Sequence, residues 1–234
     1  MVSSYRELPG GRPGLLRWRQ VVDADHAQLV IPDGAADVIV AADGSTVLVG
    51  PTEAAELVPV PAGSRLYGLR FRPGVVGAAL GLPAAELRGV TVPLADVVPP
   101  SVARRLRAVA LGRLAPERLE LPVDDRVRVA VRLLRRGWSV DRVVESTVVS
   151  ARQLRRLMLS SAGLGPKALQ RVLRLQRFVQ LAEVRGGGDL AGLAVAAGYV
   201  DQAHLSREVR VLTGHTPRAL LRERGVAVSY KPGG

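Results

Sequence analysis

The chain has 234 residues, enough for one large or two modest domains, and 47% of them are hydrophobic, which argues against global disorder. It contains no cysteine, so a disulfide framework, a thiol nucleophile and a cysteine-ligated metal site are excluded. The first residues show no apolar signal core, and no stretch approaches the ~18 uninterrupted apolar residues of a membrane span. We therefore expect a soluble, cytoplasmic protein with no membrane partner.

The formal net charge of +12 is unevenly distributed along the chain. Residues 1–121 contain 13 Arg and Lys against 12 Asp and Glu, whereas residues 122–234 contain 20 against 9. A G+C-rich genome would raise the arginine content throughout, but it would not confine the excess to one half. We therefore expect the second half to contact phosphate, where cationic side chains release counterions and contribute affinity that is independent of sequence.

The N-terminal half is predicted to be β-rich, because short apolar runs alternate with turn residues. The candidate strands are Gln28–Ile31, Asp37–Val40, Thr46–Val49, Glu56–Val60 and Leu66–Phe71. Asp43-Gly44 lies between two of these runs and is a hairpin signal. Short helical stretches are predicted at Val75–Leu80, Ala84–Arg88 and Ser101–Leu111. These elements predict a small or partial barrel with a few helices over residues 1–115, followed by a linker at residues 116–121.

The C-terminal half is predicted to be all helical over residues 122–224, with a flexible tail at residues 225–234. Asp124–Arg136 places apolar residues on one face and arginines on the other, and Lys167–Val184 forms a long amphipathic helix. The fold class is therefore α+β, with a β-rich domain followed by an all-α domain.

One segment of the helical half occurs twice. Residues 150–156 align with 201–207 at an offset of 51, and residues 140–144 align with 190–194 at an offset of 50. The second copy therefore has one extra residue in its turn. Two copies are too few for a solenoid, and each has the pattern of a short helix, a tight turn and a longer helix. Ser150 and Asp201 are suitable N-caps for the longer helices. The repeat predicts two helix-turn-helix units joined by one long helix.

The second copy resembles the signature of the AraC/XylS family. The resemblance is carried by residues 190–207, with a Gly-aromatic turn and a Ser-x-Arg sequence, and by the Gly-x-x-Pro exit at residues 213–217. It implies a sequence-specific transcription regulator whose partner is double-stranded DNA. The first copy departs from the family pattern at Val148-Val149, where the family usually has glycine. A β-branched residue is costly at a positive φ, so we expect either a distorted turn there or a less well packed first unit.

The N-terminal half is similar to a poorly characterised domain that precedes AraC-type domains in actinobacterial-type regulators. Residues 32–37, 68–74 and 80–87 carry this similarity. It implies a sensing or dimerisation domain but does not identify a ligand. Besides DNA, the expected partners are a small-molecule effector, a second copy of the chain in a homodimer, and RNA polymerase.

The second helix of each unit is expected to enter a major groove, so that the two units address successive grooves ~34 Å apart. The predicted DNA-reading residues are Arg152, Gln153, Arg155, Arg156, Gln202, Ala203, His204, Ser206 and Arg207. Arginine can bind guanine and glutamine can bind adenine through two hydrogen bonds. Contacts to phosphate are predicted for Lys167, Arg171, Arg174, Arg210 and Arg218.

Several alternatives remain open at this point. The charge alone permits a non-specific architectural DNA binder, and the β-rich domain permits an enzyme, although the sequence shows no P-loop, nucleophile elbow or dinucleotide fingerprint. An ion pair between Arg156 and Glu145 is an alternative to a contact between Arg156 and DNA. His26 suggests a metal or acid–base site, and Asp33 and Asp37 suggest a ligand site or simple turn capping. We expect no catalytic activity, no cofactor and no metal.

Overall fold

The computed structural model describes residues 4–8, 12–226 and 228. Its strands are β1 (Ser4–Leu8), β2 (Leu15–Val21), β3 (His26–Val30), β4 (Ala36–Ala41), β5 (Thr46–Val49), β6 (Glu56–Val60), β7 (Arg65–Phe71) and β8 (Thr91–Pro93). Six of them form an antiparallel sheet in the order β1-β2-β7-β4-β5-β8, and β3 and β6 form a separate antiparallel ribbon. The described strands β1 and β8 lie at opposite edges, so the sheet is open and the closed form of the predicted barrel is excluded.

The helices are α1 (Val76–Leu80), α2 (Pro100–Ala110), α3 (Asp125–Arg135), α4 (Val140–Thr147), α5 (Ala151–Ala162), α6 (Pro166–Arg185), α7 (Leu190–Ala197), α8 (Gln202–Thr213) and α9 (Pro217–Glu223). Single 3₁₀ turns lie at Ala84–Leu87, Leu94–Asp96 and Pro116–Arg118. The α+β class and the order of a β-rich domain before a helical one are confirmed.

The five predicted strands are present, with their ends shifted by at most two residues. The predicted hairpin at Asp43-Gly44 joins β4 to β5, with Val40 opposite Thr46. Three strands were not predicted: β1, β2 and β8. Strand β2 was missed because charged and amide side chains interrupt its apolar residues, although Leu15 and Trp18 are buried between neighbouring strands.

A single apolar core joins the six-stranded sheet to α1 and α2, with Val38, Leu48, Leu69 and Phe71 completely buried. Leu119 and Leu121, in the segment predicted as a linker, are buried in this core. That segment therefore packs against the N-terminal domain. The predicted tail lies outside the described residues except for 225, 226 and 228, of which Val226 and Val228 pack on the helical domain.

Two further cores lie in the helical domain, and α6 contributes to both. Its first half, with Leu169 and Val172, packs against α3, α4 and α5. Its second half, with Phe178 and Val179, packs against α7, α8 and α9. A helix of 20 residues spans about 30 Å, so α6 holds two separately packed units at a fixed separation.

Candidate nucleic-acid interface

The structure contains two helix-turn-helix units with closely similar backbone geometry. The first unit is α4 and α5, and the second unit is α7 and α8. In the first, the Ser150 hydroxyl accepts a hydrogen bond from the backbone N–H of Gln153; in the second, the Asp201 carboxylate accepts one from His204 at 2.6 Å. Both longer helices end at a glycine with φ +72°, Gly163 and Gly214. The repeat seen in the sequence is therefore a repeat of structure, with one extra residue in the second turn.

The two units differ at the residue that ends the shorter helix. Gly198 takes φ +95° in the second unit, whereas Val148 takes φ +53° in the first and is the one non-glycine residue at positive φ within the described ranges. The left-handed conformation costs an L-residue about 1–2 kcal/mol. The Val148 side chain is 91% exposed, so it gains little packing in return. The valine therefore adopts the positive φ that is costly for a β-branched residue.

The third residue of each longer helix binds back to the turn that precedes it. Gln153 Oε1 accepts hydrogen bonds from Ser150 N at 2.9 Å and Ser150 Oγ at 3.0 Å, which completes a capping box. His204 Nδ1 accepts a hydrogen bond from Val200 N at 3.3 Å, and its ring packs edge-on against Tyr199. Both side chains were predicted to read bases, and both hold the start of their helix.

The remaining predicted reading residues lie on the outer faces of the longer helices. Arg152, Arg155 and Arg156 are exposed on α5, and Gln202, Ala203 and Arg207 are exposed on α8. Ser206 is half-buried, and its hydroxyl donates to the carbonyl of Gln202 at 2.9 Å. The three α5 arginines and Arg207 form no ion pair with a described carboxylate. The alternative ion pair between Arg156 and Glu145 is therefore not formed.

The predicted phosphate contacts divide into two groups. Lys167, Arg210 and Arg218 are exposed, as a contact to DNA requires. Arg171 and Arg174 are half-buried between α6 and α8, where Arg171 Nε donates to Glu208 Oε1 at 2.8 Å and Arg174 lies 3.9 Å from Glu208 Oε2. The guanidinium of Arg174 also lies over the ring of Tyr199 at 5.3 Å. The structure therefore places these two arginines in an internal network.

Glu208 is the residue of this network that sequence reasoning missed. Its side chain is 15% exposed, and it joins α8 to α6 through the two arginines. Burial and the nearby Glu208 carboxylate raise the pKa of Tyr199 well above its ordinary value. The sequence feature that could have indicated this role is an acidic residue next to Val209, on the core side of an otherwise basic helix. At the equivalent position the first unit has Leu157.

Two acidic residues of the N-terminal domain, Asp33 and Asp37, form a polar cluster with Arg70 and Trp18. Arg70 donates to both carboxylate oxygens of Asp37 at 3.0–3.2 Å and lies 3.3 Å from Asp33, and Trp18 Nε1 donates to Asp37 at 2.7 Å. Burial raises the pKa of Asp37, and the pairing with Arg70 opposes this shift. Asp33 also accepts from Ala35 N, as turn capping predicts. The ring of His26 forms a hydrogen bond with the carbonyl of Ala24, and the described residues include no cluster of His, Asp and Glu suited to a metal.

The N-terminal domain lies directly beside the first unit. Helix α1 and the 3₁₀ turn at Ala84–Leu87 pack against α5, and a Cβ on Gly163 would lie 2.7 Å from the carbonyl oxygen of Ala84. A cavity of about 630 Å³ separates Pro83 and Ala85 from the arginines of α5. The second unit meets the N-terminal domain through a backbone hydrogen bond from Ala55 N to Leu212 O at 2.8 Å and through apolar contacts of Leu29, Ile31 and Ala55.

Two family models match this chain. Residues 143–223, which contain the second unit and all but the first three residues of the first, match a helix-turn-helix domain, and residues 15–93 match a domain of unknown function, DUF6597. No curated protein matches the sequence. Within the described residues, no helix is long and apolar enough to cross a membrane.

Solved structures similar to this chain include the C-terminal domain of AraT from Geobacillus stearothermophilus, at 19% identity and a TM-score of 0.40 over 47% of this chain and 93% of that one. A probable AraC family transcriptional regulator from Rhodopseudomonas palustris has 21% identity and a TM-score of 0.37 over 42% and 96%. Wild-type ToxT from Vibrio cholerae, with an unsaturated fatty acid bound, has 14% identity and a TM-score of 0.43 over 97% of each chain.

Proposed function

We propose that this chain, which has a helix-turn-helix domain at residues 143–223 and a DUF6597 domain at residues 15–93, is a DNA-binding regulator of the AraC type that recognises a specific bipartite DNA site. Helices α5 and α8 enter successive major grooves of one face of the duplex. The observation that carries this proposal is the equivalence of Arg156 and Arg207, which occupy the same position in the two repeats and are both exposed without a described carboxylate partner.

The exposed side chains differ in kind between the two units. The first offers guanidinium groups, from Arg152, Arg155 and Arg156, which suit guanine and phosphate. The second offers a mixed set, in which Gln202 suits adenine, the methyl group of Ala203 suits thymine and Arg207 suits guanine. The first half-site is therefore expected to be G-rich and the second to have a mixed sequence.

We propose that the N-terminal domain regulates this binding in response to a small molecule and does not catalyse a reaction. Its position supports the proposal, since it borders the reading helix of the first unit and is hydrogen-bonded to the second. Asp37 is buried and paired with Arg70, which leaves it poorly placed for acid–base chemistry. Homodimerisation and contact with RNA polymerase stay predictions.

The test is a DNA-binding titration of the full chain against its own promoter region, with Arg156→Ala and Arg207→Ala as variants. Each is expected to weaken specific binding by roughly 5- to 150-fold, which corresponds to the ~1–3 kcal/mol of a bidentate base contact. Arg104→Ala, in the exposed face of α2, is the matched control and should bind like the parent.

Two outcomes would contradict the proposal. If random-sequence DNA competes as well as the promoter, the protein is a non-specific architectural binder, since a regulator discriminates by ~10³-fold or more. If both arginine variants keep the parental affinity and specificity, α5 and α8 are not the reading helices.

A further inference from the structure

A cleft lined by arginines lies between the N-terminal sheet and the helical domain. One cavity, of about 430 Å³, is bounded by Arg70 and Arg72 from the end of β7, by Arg135 from the end of α3 and by Arg177 from α6. A second cavity of about 760 Å³ adjoins it and shares Arg72 and Arg135 with it. These two guanidinium groups therefore stand where the two cavities meet.

The four arginines are not equally engaged. Arg70 is held by Asp33 and Asp37, and Arg177 donates to the backbone carbonyls of Arg135 and Ala197. In the described part of the chain, neither Arg72 nor Arg135 forms an ion pair with a carboxylate.

The pKa of Arg135 agrees with the lack of a carboxylate paired with its guanidinium group. Desolvation in the cleft, and next the positive charge of Arg72, lower the pKa of Arg135, and the negative charge of Asp33 offsets this in part. Two cations with no carboxylate partner thus face the same space.

We propose that Arg72 and Arg135 bind a small organic anion with two or more acidic groups, and that this anion is the effector of the proposed regulator. The guanidinium fork matches carboxylate and phosphate groups through two parallel hydrogen bonds. The cavity wall adds the amides of Gln176 and Gln180, and it also includes the carboxylates of Glu7 and Asp33. These carboxylates accept hydrogen bonds from hydroxyl groups, so the site favours a hydroxylated acid over a plain hydrocarbon acid.

The site is connected to the DNA-binding units through Arg177. The backbone carbonyl of Arg135 accepts from the Arg177 side chain on α6, which also donates to Ala197 at the end of α7 at 3.4 Å. The neighbouring Gln176 on α6 donates to the carbonyl of Pro32 in the N-terminal domain at 2.7 Å. An anion that draws Arg72 and Arg135 together acts on the contact between the N-terminal sheet, α3 and α6, and hence on how the second unit is held.

The experiment measures thermal unfolding of the full chain with citrate, inorganic phosphate or sodium chloride at equal ionic strength. Citrate at about one hundred times its Kd is expected to raise the Tm by ~5–10 °C above the chloride control. Arg72→Gln and Arg135→Gln should lose this shift, while Arg104→Gln should keep it. Without citrate, Arg135→Gln should keep or exceed the parental Tm, because it removes a repulsion, which shows that the variant is folded.

The absence of any citrate or phosphate shift in the parent, or a shift that persists in both cleft variants, would overturn the inference. A shift with phosphate alone supports the site with a phosphate monoester as its ligand.

The same additions in the DNA titration should change the promoter Kd several-fold in the parent and not in Arg135→Gln. An unchanged promoter Kd would overturn the effector role. Failure of promoter binding in every condition contradicts the proposed function instead, and leaves the thermal result as a separate measure of the anion site.

Discussion

The two helix-turn-helix units have the same backbone plan but rely on different contacts. Both have an N-cap at the same position, a third residue that binds back to the turn and a left-handed glycine at the end of the longer helix. The second unit has Gly198 in its turn and a Glu208 network that joins α8 to α6. The first unit has Val148 and Leu157 at the equivalent positions, and its longer helix packs against the N-terminal domain.

The first unit keeps the helix-turn-helix structure although it has a valine at a turn position that favours glycine. A valine at φ +53° raises the free energy of the first turn, and α5 is supported by its contacts with α1 and the Ala84–Leu87 turn. At the second unit the N-terminal domain contributes a backbone hydrogen bond from Ala55 and the buried Ile31. The second unit is stabilised mainly by its own residues and by α6. The N-terminal domain therefore bears directly on the longer helix of the first unit, and on the second unit through Ala55, Ile31 and its contact with α6.

The largest expected effect comes from the pair Gly163→Ala and Gly214→Ala. Both glycines have φ +72°, so each substitution carries the same left-handed strain of about 1–2 kcal/mol. At Gly163 the new Cβ would also lie 2.6 Å from Pro51 and 2.7 Å from the Ala84 carbonyl oxygen, whereas nothing lies within 4 Å of it at Gly214. Overpacking adds ~1–3 kcal/mol at Gly163 alone. Urea denaturation measures the difference, and equal losses for the two variants would show that the contact with the N-terminal domain does not support the first unit.

A smaller effect, of opposite sign in the two units, is expected at the turns. Val148→Gly relieves the left-handed strain and should stabilise the protein by ~0.5–1 kcal/mol after the entropy of glycine is subtracted. Gly198→Ala should destabilise it by ~1–2 kcal/mol, because it introduces that strain. Val211→Gly, at an exposed helical valine of α8, is the control and should be destabilising. A loss of stability in Val148→Gly would mean that the first turn is not strained.

The smallest effect is expected from Glu208→Gln, which removes the charge that holds Arg171 and Arg174. The stability should fall by ~1 kcal/mol, as for the loss of a partly buried charged hydrogen bond. The released arginines should then reach phosphate and steepen the dependence of DNA affinity on salt by about one unit for each new contact. Glu183→Gln, which breaks the exposed pair with Arg224, should change neither quantity. An unchanged salt dependence in Glu208→Gln would show that these arginines do not reach DNA even when free.

Much of the fold was predictable because it rests on local signals. The Asp43-Gly44 hairpin, the caps at Ser150 and Asp201 and the long α6 follow from turn chemistry, capping and periodicity. Strand β2 was not predictable, because arginine and glutamine side chains interrupt its apolar residues and because its partner β7 lies far away in the sequence. The roles of Gln153 and His204 were also missed, since a polar side chain at the third helical position is equally suited to a base edge and to the preceding turn.

The sequence by itself determined the repeat, the uneven charge and the two helix-turn-helix units, because capping, turn geometry and helical periodicity act over a few residues. Only the tertiary structure decided which arginines are free. Arg171 is bound by a carboxylate on another helix, whereas Arg72 and Arg135 come together from the two domains without a described carboxylate partner. The charge of an arginine is set by its chemistry, but whether that charge is already neutralised depends on residues that only folding brings near it.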